Sequence, residues 1–523
     1  MNDDDNSSSV ELQKLLDENC VEIKLPSYPP PTRTTSLSSS LLVDETEGKH
    51  HQDHQAAYWT QRDTENALYG VNYDTTPCGR LKLYLTDPIN KINEAIRRHR
   101  ASSSSNKILF IDYEFCVSEE VSASEITIGN EKCTPGIITT QNVYDFENSG
   151  EPKRIARIEH FTSKARRQRR PCNTSIDSSS SSSWVWKRAS SMPGKKIFSS
   201  FDNSIKAQNV IQGKVGNCGF CSGFASLAAK FPNVITGAFR GCVENTFETC
   251  GAISVRVYPR GKQRFILLDD YILCLAGSAS SSSPALHSLN ENDIWIRLLE
   301  KLFVKLQSSY ASLDGYYKFN SLYRHPARAL QLIANGPIAL EVHYTVQQVD
   351  EVYKTLLATE MKYVRVAHGR KVVDGLFKGH GYSLLWVGSI AGIRLALLRN
   401  PHGKKSYMGE FGRGGGDSWS SIDAISVANE LKTILDDSTV GSSNDNTMQC
   451  LVSAAKGGVN KDDDGIFLMR FEMFVECFPI TTVVGPIEIG GPGQKAFVVK
   501  DSIYILPSEN ISELCNMLKV AER

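Results

Sequence analysis

The chain of 523 residues has no apolar run long enough to span a bilayer, no excess charge of either sign and no regular cysteine framework. A transmembrane helix needs about 20 consecutive, mainly apolar residues, so no membrane-spanning segment is expected. Lys+Arg and Asp+Glu each number 58, so no global field draws the protein to nucleic acid or to an anionic membrane. The first residues, MNDDDNSSSVELQ, are acidic and polar, unlike a secretory signal or a transit peptide. Thirteen cysteines form an odd, scattered set, which reads as reduced thiols rather than a disulfide scaffold. A cytoplasmic location is therefore the expectation. No internal repeats are evident, and the length has room for two or three ordinary domains.

Residues 1–106 are rich in Ser, Asp, His and Pro (PSYPPPTRTTSLSSS, HHQDH, ASSSSN) and read as a mostly flexible extension, with local order only near 79–98. A core is expected over 107–485, followed by a short tail at 486–523. Its first part, about 107–336, carries a segment at 118–183 that reads as a disordered insertion. This contains the basic cluster KARRQRRP (164–171) and a serine run (178–183). The cluster fits a solvated loop, a docking site, a nuclear-import signal or a processing site. The second part, about 337–485, is richer in strand patterns.

The most informative stretch is VIQGKVGNCGFCSGFASLAAKFP, residues 210–232. Phe220, Phe224, Leu227 and Phe231 recur at spacings of four, three and four, one face of a helix that begins near Cys218. Gly219 and Gly223 cost helix stability but admit close backbone approach. A thiol at a helix N-terminus meets unpaired N–H groups and the positive end of the dipole, which favour the thiolate. Gln212, six residues upstream, is placed to donate an amide N–H to a developing oxyanion. A thiol hydrolase of papain-like order needs a histidine and then an asparagine well downstream. His380 in LFKGHGYSLLWVG and Asn400 in IRLALLRNPHG supply them, each beside a short apolar run of the kind that pairs as antiparallel strands. A second clear helix covers 294–306, with Asn292 or Asp293 as its N-cap.

These segments resemble the protease core of the calpain family, whose motifs QGxxGxCW, KGHxYS and RNPWG are matched by QGKVGNC, KGHGYS and RNPHG. Residues 293–315 and 462–478 resemble the family's long helix and the end of its second core part. ILFIDYEF and WVWKR resemble the start of the core, so the likeness runs over about 107–485. It implies an α+β, papain-like fold, a helix-rich half facing an antiparallel strand-rich half, with the active site in the cleft. It also implies an endopeptidase acting on intracellular proteins through Cys218, His380 and Asn400, with Gln212 as oxyanion donor and no cofactor for the chemistry itself. Two positions depart from the family: Gly219 and His402 stand where tryptophans are usual. A catalytically weak or idle binding scaffold is therefore a second reading. Cys218 and Cys221 also spell Cys-x-x-C, the signature of a dithiol oxidoreductase, which is a third.

Conventional members bind calcium in the core. Here Asn209, Ser406 and Ile466 replace acidic residues while Asp293 and Asp464 remain, which weakens a hard-cation site and leaves calcium dependence open. NKDDDGIFLMRF (460–471) approximates an EF-hand loop but ends on Phe471 where a bidentate Glu is needed. Fewer than forty residues follow 485, too few for the sandwich and penta-EF-hand domains of those members.

Overall fold

The computed structural model describes residues 21–24, parts of 86–112, 124–128, 131–139, most of 184–487, and 502–506. Strands run in chain order as β1 (Val21–Lys24), β2 (Ile108–Phe110), β3 (Ser124–Ile128), β4 (Glu131–Thr139), β5 (Trp184–Arg188), β6 (Ala252–Val257), β7 (Arg264–Asp269) and β8 (Tyr271–Leu275). They continue as β9 (Ile338–His343), β10 (Val364–Gly369), β11 (His380–Ile390), β12 (Ile393–Arg399), β13 (Ile466–Arg470), β14 (Ile480–Gly485) and β15 (Ser502–Leu506). The helices that matter for the site are α1 (Cys218–Lys230), α2 (Trp295–Gln307), α3 (Pro326–Ala334), α4 (Val349–Ala358) and α5 (Phe471–Cys477).

One sheet of eight strands dominates, in the order β1-β15-β9-β14-β10-β11-β12-β13. All its pairings are antiparallel except β15 with β9. The apolar runs around His380 and Asn400 are neighbours, β11 and β12. Their two-residue turn, Ala391-Gly392, has positive φ at both positions (51° and 75°), as a type I′ hairpin requires.

Alternation along these strands divides two cores. Leu395, Leu397, Ile466 and Leu468 join the larger cluster with α1, α2 and α3, while Ala396, Leu398, Phe467 and Met469 join a second with α4 and α5. In β11 the register shifts between Leu384 and Trp386, so Leu384 and Val387, three apart, share the second face.

Helix α1 is apolar or small on every side and is accordingly buried from Phe220 to Ala229. The expected aromatic face packs on α2: Phe220 lies 4.7 Å from Phe224 and 5.0 Å from Phe303, ring centre to ring centre. Its opposite, small face lies on the sheet. Ser222 Oγ donates to Gly381 O, Ser383 Oγ to Ser222 O and Ser226 Oγ to Arg365 O, each at 2.9 Å. Gly223 faces α3, where an added Cβ would stand 3.2 Å from Leu330.

The start of the core is fastened by buried charge. Lys305 Nζ bonds both carboxylate oxygens of Asp112 at 3.0 Å, Lys301 pairs with Asp269, and Arg188 pairs with Asp270 and bonds Phe110 O. Where local order was expected near 79–98, Ile89 and Ile92 are buried against Phe110 and Leu267. Within the segment read as an insertion, β3 and β4 form an antiparallel pair; the basic cluster at 164–171 lies outside the described residues. Beyond 485, β15 continues the main sheet, and β1, from the N-terminal segment, pairs with it. Asp293 does not act as a simple helix cap, since its Oδ1 accepts Ser199 N–H and Ser204 O–H.

A Cβ on residue 381 would sit 3.0 Å from Gly219 Cα and 3.1 Å from its N, against backbone that must move. Gly381→Ala is therefore expected to cost about 1–3 kcal/mol, an overpacking penalty, read as a lower urea midpoint. An unchanged midpoint would show the contact to be slack.

Candidate active site

Asn400 follows β12 and is set by its neighbours on both sides. Its N–H donates to Gly465 O at 2.8 Å, and Gly465 has φ +83° with space for no Cβ, which would meet Asn400 O at 2.5 Å. The glycine that imitates position six of an EF-hand serves this contact. The Asn400 carboxamide donates from Nδ2 to Lys404 O (3.0 Å), while Oδ1 accepts the N–H of His402 (3.1 Å) and meets His380 Nε2 at 3.0 Å. That orientation makes Oδ1 an acceptor, so His380 carries its proton on Nε2 and leaves Nδ1 as the basic nitrogen.

The fully buried Arg399 donates to Val210 O (2.8 Å) and Gln208 O (3.1 Å). Gln212 N donates to Pro401 O at 2.8 Å. Together these lay the Gln212 segment along the end of β12, beside Asn400, with Gln212 itself buried.

Cys218 opens α1 and is half-buried. Asn217, at the N-cap, makes no capping bond with its side chain, so the first-turn amides of α1 receive none from it. Gly381 N–H donates to Cys218 Sγ at 3.3 Å, which joins the thiol to the residue immediately after His380. Cys218, His380 and Asn400 are thus linked by two hydrogen bonds and one peptide bond, and Gln212 is tied to the loop after Asn400.

The His380 ring is enclosed. His402 stacks on it at 4.6 Å and 12°, and Tyr382 meets it edge-on at 4.9 Å. Burial first, and the adjacent His402 second, lower the His380 pKa to about 4, against the opposing pull of the Asn400 bond. The imidazole is neutral at pH 7.

Sequence reasoning missed the layer beneath the thiol. Asn217 Nδ2 donates to Glu300 Oε1 (2.8 Å), Leu286 N–H to Glu300 Oε2 (2.9 Å), and Cys221 Sγ to Asn217 Oδ1 (3.3 Å). Glu300 is fully buried, and burial raises its pKa to about 7. The only sequence signal was a Glu among apolar helix positions.

Three of the positions weighed for calcium are engaged within the protein. Asn209 donates its amide to Ser204 O, Ile466 lies in β13, and Asp464 is taken by Arg413, Ser453 and the Ile466 N–H. Ser406 lies outside the described residues. Among the described residues no group of three or more His, Cys, Asp or Glu is placed to hold a metal.

A helix carrying a thiol at its first residue, set against an antiparallel sheet that supplies a histidine and then an asparagine, defines a papain-like fold. The chain belongs to the calpain family of cysteine proteases, whose family model matches residues 167–449, over half its length. It is 26% identical over 234 residues to the calpain-type cysteine protease ADL1 of Oryza sativa subsp. japonica, covering 41% of this chain and 10% of that protein. It is 28% identical over 216 residues to calpain-type cysteine protease DEK1 of Zea mays, covering 38% and 9%. With calpain-5 of Mus musculus it shares 24% over 303 residues, covering 53% and 42%. The chain thus spans about a tenth of the plant relatives' length and under half of calpain-5. No helix among the described residues is long and apolar enough to cross a membrane.

Two predictions follow from the titratable groups. Because Glu300 has a higher pKa folded than unfolded, its proton-linked stabilisation is complete below about pH 4.5 and is lost as pH rises through about 7. The difference corresponds to on the order of 3 kcal/mol. Urea midpoints at pH 5.5 and 8.5 should therefore fall further in the wild type than in Glu300→Gln, and equal slopes would assign the pH dependence elsewhere. His402→Phe keeps a stacked ring but removes the second imidazole, so the His380 midpoint, read by NMR of its ring protons, should rise. No movement would leave burial as the sole cause.

Proposed function

We propose that the chain is a cysteine endopeptidase in which Cys218 is the nucleophile, His380 the general base and acid, Asn400 the orienting group and Gln212 an oxyanion donor. The reading rests above all on one arrangement, His380 Nε2 on Asn400 Oδ1 at 3.0 Å with the next residue's N–H on Cys218 Sγ at 3.3 Å. His380 Nδ1 takes the thiol proton as Sγ attacks the scissile carbonyl. The Gln212 amide and the Cys218 N–H receive the oxyanion, and His380 returns the proton to the leaving amine. Water then attacks the acyl-enzyme with His380 as base, while Asn400 holds the imidazole in one tautomer throughout.

The substrates of this reading are exposed segments of proteins in the cytoplasm, and no step passes through a metal. A catalytically weak scaffold is the second reading, and what favours it is His402: a stacked imidazole, in place of an indole, beside an already weakened base. The dithiol oxidoreductase has less support, because α1 packs on antiparallel strands rather than completing a parallel βαβ unit.

An epoxysuccinyl electrophile at neutral pH distinguishes the first two. Labelling of Cys218 should be fast in the wild type and slow in His380→Ala, and Gln212→Ala should lose ~10²–10³ in peptide turnover with an unchanged urea midpoint. Labelling indifferent to residue 380, with no hydrolysis of unfolded casein, would establish the scaffold.

A further inference from the structure

The Cys-x-x-C pair is left over from this mechanism: Cys221 touches no reacting atom, yet it sits one turn beneath the nucleophile. We propose that Cys221 is the resolving thiol of a hydroperoxide-sensing site, closing a reversible Cys218–Cys221 disulfide when the nucleophile is oxidised. The proposal rests on the reading of Cys218 as the reactive thiol.

Positions i and i+3 of an α-helix place their Cα atoms about 5 Å apart, from a rise of ~1.5 Å and a radius of ~2.3 Å per residue. Disulfides span about 4.4–6.8 Å between Cα atoms. Helical side chains lean toward the N-terminus, and this one demonstrably does: Cys221 Sγ bonds Asn217 Oδ1 at 3.3 Å, beside the backbone of Cys218. Asn217 is itself held by Glu300, so the sulfur is aimed at the first turn before any oxidation. Cys218 is the first helical residue, so the bond closes at a helix end.

The two thiols also differ as a peroxide sensor needs. Cys218 is half-buried and reachable, whereas Cys221 is fully buried and its pKa is pushed well up by burial and by Glu300, which makes it inert to peroxide on its own. Oxidation therefore starts at residue 218. Its thiolate attacks a hydroperoxide, an S–O bond forms as O–O breaks, and the departing hydroxide or alkoxide takes a proton. The Cys221 sulfur then attacks the sulfenic sulfur: S–S forms, S–O breaks, and the released hydroxide takes the Cys221 proton as water. Two thiols have lost two electrons to one peroxide, and a dithiol reductant reverses the change.

The test uses the reduced full chain treated with hydrogen peroxide in molar excess, alkylated with iodoacetamide and mapped by peptide mass spectrometry. The expected product is a 218–221 peptide two hydrogens lighter, with both thiols lost to alkylation and regained after dithiothreitol. Cys221→Ser keeps a donor for Asn217 and should retain basal peptidase activity. After peroxide it should be driven to sulfinic acid at Cys218 and fail to recover with dithiothreitol, whereas the wild type recovers. If Cys218 alkylates readily but peroxide takes it to sulfinic acid, or to a bond with another cysteine, in the wild type, the present proposal is overturned and the protease reading stands. If reduced Cys218 alkylates no faster than Cys242, both fall. The wild-type mapping decides the matter even where the variant is poorly folded.

Discussion

Everything at the site depends on two backbones meeting without side chains between them. The first turn of α1 lies against the start of β11 at Gly219 and Gly381, so close that a methyl on the latter would press on the former's main chain. Only at that separation does the Gly381 amide reach Cys218 Sγ, and only then do Ser222 and Ser383 exchange bonds with the opposing backbone. A helix that buries small residues toward a sheet gives up apolar area there, and hydroxyl-to-carbonyl bonds and the aromatic contacts of its other face offset the loss. Placement of the thiol is thus a consequence of packing, fixed before any catalytic side chain is considered.

Buried charge then fixes the frame around α2. Lys301 and Lys305 are fully buried and paired with Asp269 and Asp112, and Arg188 lies paired with Asp270 over the Tyr271 ring at 4.4 Å. Such pairs add little net stability, because desolvation consumes most of the attraction. Removing one partner, however, strands a charge and costs about 3–5 kcal/mol. The network therefore acts as a register device: β2, β5 and α2 have only one mutual arrangement in which every charge is met. Glu300, on the same helix, holds Asn217, which turns a packing helix into support for the turn that carries Cys218.

The site was legible in the sequence where its residues lie in contiguous motifs. The helix at Cys218 and its aromatic face follow from the 3.6-residue spacing, and the paired strands beside His380 and Asn400 from two short apolar runs. What was not legible was set by distant partners. Arg399, adjacent to Asn400, reads as an ordinary strand-end cation, yet its guanidinium binds carbonyls at 208 and 210 and brings Gln212 to Pro401. The helical pattern at 294–306 carries no sign that Lys301 and Lys305 are buried, because the aspartates that pair with them are distant, one of them nearly two hundred residues upstream. The pairing of β15 with β9 was hidden for the same reason: an isolated five-residue apolar run carries no record of the edge it will join.

The enclosure of His380 constrains how the proposed chemistry proceeds. A buried imidazole whose Nε2–H is bound to a carboxamide is uncharged in the resting state, and a second imidazole stacked on its face opposes protonation further. Charging it becomes favourable only together with a negative sulfur or oxyanion nearby, because opposite charges at contact distance in a dry site attract far more strongly than in water. The carboxamide of Asn400 adds no charge of its own, so it orients the ring without making protonation easy. In the proposed reaction the proton would therefore move to His380 as the thiolate or tetrahedral oxyanion forms, not before, and substrate binding that excludes water would strengthen that coupling. A tryptophan at 402 would exclude water from the same face without the electrostatic opposition; the histidine makes the base more dependent on the charge of its partner.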